Sequence, residues 1–291
     1  TYKLQHRGGK GVIATTTKDE DIVKDIFVAS THSYILFFTN KGKVHWLKVY
    51  SIPEASRQAR GKAIVNLLEM QSNEIVTAFV PVRKFDNEHY LIMSTKNGTV
   101  KKTELMAYSN PRKHGIVAIK LEQSDELINV ELTDGNQQII LATKNGNAVR
   151  FEERNVRPTG RSAQGVRGIS LKDNDEVIGM VVASDEKTLL SVTENGYGKR
   201  TPIAEYRLIN RGGSGVINIQ CSERNGKVVS ICPLTDNDEV IFISKNGIII
   251  RVPAADISVI GRNTQGVKVM KLETNDKVVS AIRVPRDNDN H

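Results

Sequence analysis

Arginines at a fixed spacing are the residues most able to do chemistry in this chain. Arg7, Arg57, Arg161, Arg211 and Arg262 each lie four residues before a glycine. In a sixth copy Pro111 takes that place and is followed by Arg112. A guanidinium group binds a phosphate or carboxylate through two parallel hydrogen bonds. Basic loops in equivalent places therefore predict repeated contacts with a polyanion.

The same loops contain more positive charge, at Lys10, Arg60, Lys62, Lys113, Arg157 and Arg207. A second set follows the predicted hairpin turns at Trp46, Lys102, Arg150, Arg200 and Arg251. For this second set two interpretations stay open: contact with the polyanion, or pairing with neighbouring acids on a solvated surface.

Catalysis, metal binding and nucleotide binding are poorly supported by the motifs. Gly8-Gly9-Lys10-Gly11 and Gly212-Gly213-Ser214-Gly215 lack the spacing of a phosphate-binding loop, and no helix is predicted after either. The six histidines form no metal-ligand or triad-like pattern. Two cysteines, Cys221 and Cys232, are typical of free thiols in a reducing compartment. We predict no catalytic residue, no metal site and no cofactor.

The glycines after the arginines mark repeat units that start near 11, 61, 115, 165, 215 and 266, with gaps of 50, 54, 50, 50 and 51 residues. Each unit opens with a short strand, and a second strand such as 21–23 or 126–128 follows. Asn-Gly pairs such as Asn97-Gly98 then predict a hairpin whose two turn residues both have positive φ. Four strands per unit predict an all-β bladed protein, one domain over residues 1–291.

Two irregularities accompany the repeat. The stretch 83–88 lengthens the second unit and predicts a protruding loop. The first two strands of a unit occur six times but the hairpin only five times, which places the missing pair before Thr1. We therefore expect a piece of a longer protein. Little helix is expected beyond a short turn near 53–56.

Composition favours a polyanionic partner and, among nucleic acids, duplex over single-stranded DNA. Forty-one Lys and Arg against 33 Asp and Glu give a net charge of +8. Aromatic residues make up only 5%, which disfavours a base-stacking surface for single strands. A series of equivalent cationic loops can follow the phosphates of a bent duplex without contacting bases. No apolar run approaches the ~18 residues of a membrane span, and we predict no membrane segment and no signal peptide.

The stretch Gln5-His6-Arg7-Gly8-Gly9-Lys10-Gly11 resembles the glutamine-arginine-arginine-glycine-glycine-lysine-glycine box in the C-terminal domain of the DNA gyrase A subunit. Segments 29–32, 48–50 and 59–68 are similar to that domain's first blade. The resemblance implies a six-bladed β-pinwheel, a propeller-like disc of four-stranded blades whose neighbours exchange strands. It also implies that duplex DNA wraps around a basic perimeter. His6 departs from the box and replaces one fixed charge.

The resemblance further implies a role within a larger enzyme. In gyrase the wrap sets a handed DNA crossing for negative supercoiling that uses ATP and Mg²⁺, both bound outside this domain. The catalytic tyrosine, the metal-binding acids and the ATPase have no counterpart here, so we expect a non-catalytic domain. Its expected partners are double-stranded DNA, the gyrase B subunit, plus the rest of the gyrase A subunit. We expect it to be a monomer in the cytoplasm, associated with the nucleoid.

Together the spacing and the resemblance predict the DNA-binding residues. They are Gln5, His6, Arg7, Gly8, Gly9, Lys10, Gly11, Arg57, Arg60, Lys62, Arg112, Lys113, Arg157, Arg161, Arg207, Arg211 and Arg262. Two alternatives stay open: the corresponding domain of topoisomerase IV, whose box is incomplete, and a propeller-type scaffold for an acidic protein.

Overall fold

The structure is a computed structural model that describes Arg7, Gly9 and residues 12–13, 29–53 and 64–285. The predicted strand over 21–23 and eight predicted site residues lie outside the described residues. Those eight are Gln5, His6, Gly8, Lys10, Gly11, Arg57, Arg60 and Lys62.

Three kinds of strand recur along the chain. The hairpin strands are β2 (Tyr34–Thr39) with β3 (Lys43–Lys48), β5 (Tyr90–Thr95) with β6 (Thr99–Glu104), β9 (Gln138–Thr143) with β10 (Asn147–Glu152), β13 (Thr188–Thr193) with β14 (Tyr197–Pro202), and β17 (Glu239–Ser244) with β18 (Ile248–Pro253). The long strands are β4 (Val76–Val82), β8 (Leu127–Thr133), β12 (Val177–Ala183), β16 (Val228–Leu234) and β20 (Val278–Val284). The short strands are β1 (Val12–Ile13), β7 (Ile116–Val117), β11 (Val166–Arg167), β15 (Val216–Ile217) and β19 (Val267–Lys268).

Each blade is a four-stranded antiparallel sheet built around one hairpin. The orders are β4-β2-β3-β7 (blade 1), β8-β5-β6-β11 (blade 2), β12-β9-β10-β15 (blade 3), β16-β13-β14-β19 (blade 4) and β20-β17-β18-β1 (blade 5). The fourth strand always comes from elsewhere in the chain: β11 follows the hairpin of blade 3 but pairs with β6 of blade 2. The all-β class and the exchange of strands between neighbouring blades are therefore confirmed.

The expected number of six blades is wrong for the described residues, which form five. The reason is the hairpin count. The unit that starts near 266 has a short strand and a long strand but no hairpin among the described residues, and the short strand of the first unit, β1, pairs with β18, Val12 opposite Ile249 and Ile13 opposite Ile248. The start of the chain thus completes the last blade.

The long strands form the inner edge of each blade and the short strands the outer edge. β4 packs against β8, β8 against β12, β12 against β16 and β16 against β20. Since each long strand lies at one end of its sheet, the short strand at the other end lies farthest from the centre. The loop that leads into each short strand therefore runs along the rim of the disc.

The core lies between the blades. In β9, Ile139 and Leu141 pack in a cluster with Ile92 of blade 2, whereas Ile140 and Ala142 pack in a cluster with Leu189 of blade 4. Successive residues of a strand point to opposite faces, so a strand covered on both sides is apolar throughout. This explains why the hairpin strands show little alternation of polarity.

The Asn-Gly hairpins are confirmed, but the predicted turn geometry is wrong. Only the glycine has positive φ, +86° at Gly98, and the Gly98 N–H donates to Thr95 O at 3.0 Å. This is a type I turn followed by a left-handed glycine, the pattern of a three-residue hairpin loop. The Asp125 carboxylate supports the turn by accepting from Asn97 N–H at 2.9 Å.

Short 3-10 helices follow the second hairpin strands. They are η1 (Val49–Ser51), η3 (Leu105–Tyr108), η4 (Glu153–Asn155), η5 (Ile203–Glu205) and η6 (Ala254–Asp256), and η2 (Ile64–Asn66) precedes β4. The turn expected near 53–56 lies outside the described residues apart from Pro53, and the described 3-10 helix of blade 1 is Val49–Ser51. The predicted loop over 83–88 joins β4 of blade 1 to β5 of blade 2.

Candidate nucleic-acid interface

Four described segments, which we call the rim segments, include the short strands β7, β11, β15 and β19 and the loops before them. They are residues 109–117, 157–167, 207–217 and 258–268. Together they contain nine Lys and Arg residues and no Asp or Glu. Although 25% of the residues in the whole chain are charged, the charged residues of the rim segments are all basic.

Three of the four rim segments, 157–167, 207–217 and 258–268, run along their blades in the same register. Pro158, Leu208 and Val259 form parallel bridges with the post-hairpin residues Lys102, Arg150 and Arg200. The next N–H in each loop then donates to the carbonyl of that post-hairpin residue, at 2.8 to 2.9 Å. Equivalent backbone contacts explain why the rim arginines keep a constant spacing in the sequence.

Three of the registered arginines also bind the neighbouring blade. Arg161 donates to Val117 O at 3.1 Å, Arg211 to Arg167 O at 2.9 Å, and Arg262 to Ile217 O at 2.8 Å. Each acceptor is the second residue of the preceding short strand. A guanidinium group has five N–H donors, so one or two such bonds leave donors for a phosphate. The register therefore has a structural cause as well as a capacity for anion binding.

The remaining rim cations are exposed. Arg112, Lys113, Arg157 and Arg207 were predicted from the spacing. Arg167 and Lys268 were not predicted. Both occupy the second position after a unit glycine, so comparing that position between the repeat units would have identified them. Within the described residues, the one ion pair formed by a rim cation joins Lys113 to Glu69 at 2.8 Å. This pairing lowers the pKa of Glu69 and raises that of Lys113.

The predicted box joins the same series. The carbonyl of Gly9 accepts from Lys271 N–H at 3.1 Å. The residues two before three other unit glycines, Ala163, Gly213 and Thr264, accept from the equivalent N–H groups at 2.8 to 3.1 Å. Gly9 thus takes the place in this series that Ala163, Gly213 and Thr264 take in the rim segments. Arg7 is exposed there, and the rest of the box lies outside the described residues.

The post-hairpin cations have carboxylate partners. Arg150 binds Asp185 at 2.6 Å and Arg200 binds Asp236 at 2.6 Å, while Arg251 pairs with Glu239. Lys102 lies 3.9 Å from the buried carboxylate of Glu153. Of the two interpretations left open for this set, the structure supports pairing with acids: Arg150 and Arg200 are buried, while their partners Asp185 and Asp236 are exposed.

Two buried lysines lie beneath the rim, and no pattern in the sequence points to them. Lys101 and Lys199 are 1% and 0% exposed, and both point to backbone carbonyls of rim segments. Burial lowers the pKa of Lys101 to about 7 and that of Lys199 to about 8.

The described residues contain neither a cluster of metal ligands nor a helix that could span a membrane. They contain no group of three or more His, Cys, Asp or Glu side chains arranged to hold a metal ion. No helix in this part of the chain is long and apolar enough to cross a membrane. Cys221 and Cys232 are both free thiols.

Two solved structures share this fold over most of the chain. One is a structure of a DNA gyrase A C-terminal domain, with a TM-score of 0.82 and 28% identity, covering 97% of this chain and 92% of that one. The other is the C-terminal domain of a DNA topoisomerase IV, with a TM-score of 0.80 and 28% identity, covering 88% and 80%.

Curated sequences give higher identity. The chain is 47% identical over 287 residues to the DNA gyrase A subunit of Clostridium acetobutylicum and 50% identical over 289 residues to that of Halalkalibacterium halodurans. Each alignment covers 99% of this chain and 35% of the relative. The chain thus spans about a third of the length of the curated relatives it matches.

A family profile described as the DNA gyrase C-terminal domain, beta-propeller, matches residues 1–30, 33–83, 89–134, 137–184, 187–231 and 238–285. Five of these six segments contain the five hairpins, and the first contains β1. Fold, sequence and repeat pattern agree, and the chain belongs to the DNA gyrase C-terminal domain family.

Proposed function

We propose that this chain is a non-catalytic domain that binds duplex DNA along its rim and wraps it around the disc. The observation that carries the proposal is the composition of the rim segments, nine cations and no carboxylate. Phosphate contacts supply most of the affinity of such a surface, and they require cations without competing acids.

The side chains on the rim favour a duplex over a single strand. The four rim segments contain no Phe, Tyr or Trp. Proteins that hold single strands stack bases on aromatic rings, whereas a wrapped duplex needs only cations that follow its backbone. The rim also repeats from blade to blade, which suits a bent duplex that presents its phosphates at regular intervals.

The residues proposed to contact DNA are those predicted from the sequence, from Gln5 through Gly11 in the box to Arg262 in the last rim segment. To these we add Arg167 and Lys268. In the larger protein, the proposed wrap fixes a handed crossing of DNA for ATP-dependent negative supercoiling. The proposed partners there, in the cytoplasm, are the gyrase B subunit together with the rest of the gyrase A subunit.

A topology assay tests the proposal. Relaxed circular plasmid is nicked and religated with increasing amounts of the 291-residue chain bound, and the linking number is read on a gel. A shift that grows with protein is expected, and its sign gives the hand of the wrap. An unchanged linking number at saturating protein would contradict wrapping.

The likeness to the topoisomerase IV domain supports a second candidate, the DNA-binding domain of that enzyme. The box separates the two candidates, because the resemblance ties an intact box to tight wrapping. If the gyrase role is correct, Arg7→Ala with Lys10→Ala abolishes the linking-number shift while much of the DNA affinity remains. A shift that survives both substitutions would favour the topoisomerase IV role.

A further inference from the structure

Lys101 and Lys199 occupy the same place in two blades, the third position after the hairpin glycines Gly98 and Gly196. Both side chains are buried, 1% and 0% exposed. Burying a cation is costly unless a carboxylate or several hydrogen bonds replace its water. Neither lysine forms an ion pair within the described residues, so their acceptors must account for their presence.

Most of the acceptors are backbone carbonyls of the rim. Lys101 Nζ donates to Gly160 O at 3.0 Å, to Arg161 O at 2.5 Å, and to Ala118 O at 2.6 Å, just after the rim segment of the adjoining unit. Lys199 Nζ donates to Gly261 O at 2.9 Å, to Arg262 O at 3.2 Å, and to the Thr201 hydroxyl of its own strand at 2.8 Å. Each ammonium group therefore binds the backbone of a registered arginine and of the residue before it.

The fold does not require a cation at this position. Val149 fills it in blade 3 and Ile250 fills it in blade 5, and both blades have the same strands and the same turn. In blade 3 the arginine loop is held differently, because Arg211 Nε itself donates to Asn155 O at 2.9 Å. A blade therefore forms without a lysine at this position, and the hydrogen bonds of Lys101 and Lys199 act on the arginine loops of the rim.

We propose that Lys101 and Lys199 are positioning residues for DNA binding, whose buried ammonium groups hold the loops of Arg161 and Arg262 in the register that meets the phosphates. The inference rests on the function proposed above. It assigns a role in DNA binding to two side chains that cannot touch DNA themselves.

The charge on these lysines responds to pH near neutrality. Burial, together with the Arg161 charge, lowers the pKa of Lys101 to about 7. Burial lowers the pKa of Lys199 to about 8, where Glu205 opposes the shift and Arg262 adds to it. The other titratable groups alongside are Tyr108, which donates to Ala118 O, and Tyr206, and burial raises the pKa of both. Loss of the proton weakens three hydrogen bonds at Lys101, and the rim loop is then held less firmly.

Neutral substitutions test the proposal. Lys101→Met and Lys199→Met, separately and together, are compared with wild type for duplex affinity as a function of salt at pH 6, where both lysines of the wild type are charged. Each variant should lower the magnitude of the log–log salt slope by ~1, because one arginine loop no longer holds its phosphate. Ile250→Met, a substitution of similar volume at the equivalent position, is the matched control and should leave the slope unchanged.

Two further readouts separate positioning from a general structural role. The melting temperature of each Met variant at pH 7 should equal or exceed that of wild type, because a buried charge has been removed. Between pH 7 and 9 the affinity of wild type should fall towards that of the double variant. Both proteins carry the same histidines, so the difference between the two profiles isolates the lysines.

Folded variants with the wild-type salt slope and pH profile would overturn the proposal. A variant that fails to fold would overturn it too, since Val149 and Ile250 show that the position needs no cation. If wild type itself shows no salt-sensitive affinity for duplex DNA, the proposed function fails instead. The two failures are therefore distinguishable.

Discussion

The rim cations and the post-hairpin cations recur with the same period, yet their surroundings are opposite. Arg157 and Arg207 on the rim are exposed, in segments without a single carboxylate. Arg150 and Arg200 are 7% and 3% exposed and each binds an aspartate at 2.6 Å. Periodicity alone therefore marks a repeated structural position, and only the presence or absence of acid partners separates a binding surface from a blade contact.

Breaking a blade ion pair should give the largest effect, on stability alone. Glu153 is fully buried and lies beside Lys102, which is 4% exposed. Glu153→Ala leaves that ammonium group without its carboxylate and should lower the free energy of unfolding by about 3 to 5 kcal/mol. Urea denaturation measures the loss. An unchanged midpoint, or a changed salt slope of DNA binding in the folded variant, would contradict the distinction between the rim cations and the post-hairpin cations.

Lys101 and Lys102 are neighbours in β6 and sharpen the comparison, because only Lys102 has a carboxylate nearby. The folded-state pKa of Lys101, about 7, lies below its ordinary value of 10.5. Between those values the unfolded chain binds a proton that the folded chain does not, so stability rises with pH through this window. From pH 7 to 9, wild type should gain about 2 kcal/mol relative to Lys101→Met. Parallel pH profiles of the unfolding midpoint would contradict this.

Removing two exposed rim arginines should affect binding alone. Arg157→Ala with Arg207→Ala should weaken duplex affinity about tenfold at fixed salt, with no change in the unfolding midpoint. The matched control is Arg83→Ala with Lys84→Ala, which removes the same charge from the exposed loop between β4 and β5, outside the rim segments. Equal losses in the two double variants would mean that net charge, and not the rim, governs binding.

Arg211 belongs to both classes and should show a small effect of each kind. Its guanidinium group donates to Asn155 O and to Arg167 O, both at 2.9 Å. Arg211→Gln should cost about 1 kcal/mol in unfolding free energy and reduce the salt-slope magnitude by ~1. A change in one quantity without the other would assign this arginine to a single role.

The fold could be predicted from the sequence as far as local patterns determine it. The glycine period and the Asn-Gly pairs predicted repeated hairpins, and these are confirmed. The turn type could not be read from the pair alone, because Asn-Gly suits both a turn with two left-handed residues and a type I turn followed by Gly98 at +86°. The number of blades depended on which hairpin β1 joins, and that pairing with β18 spans most of the chain.

The candidate site was predictable where the contact is local and not where it is distant. The spacing identified Arg161, Arg211 and Arg262, but not that each binds a carbonyl about 44 residues earlier. In the strand Thr99–Glu104 two adjacent lysines suggest one exposed and one half-buried side chain, yet both are buried. Nothing local distinguishes Lys101, whose acceptors lie up to 60 residues away.

The salt dependence of duplex binding by the wild-type chain tests the central claim most directly. Nine cations on the described rim segments, together with Arg7, can neutralise on the order of eight phosphates, which predicts a log–log slope near ~ −7. The measurement needs only affinity for a duplex long enough to follow the rim, at several salt concentrations. A steep slope of this size supports a rim that binds through phosphates. A slope near zero would contradict it.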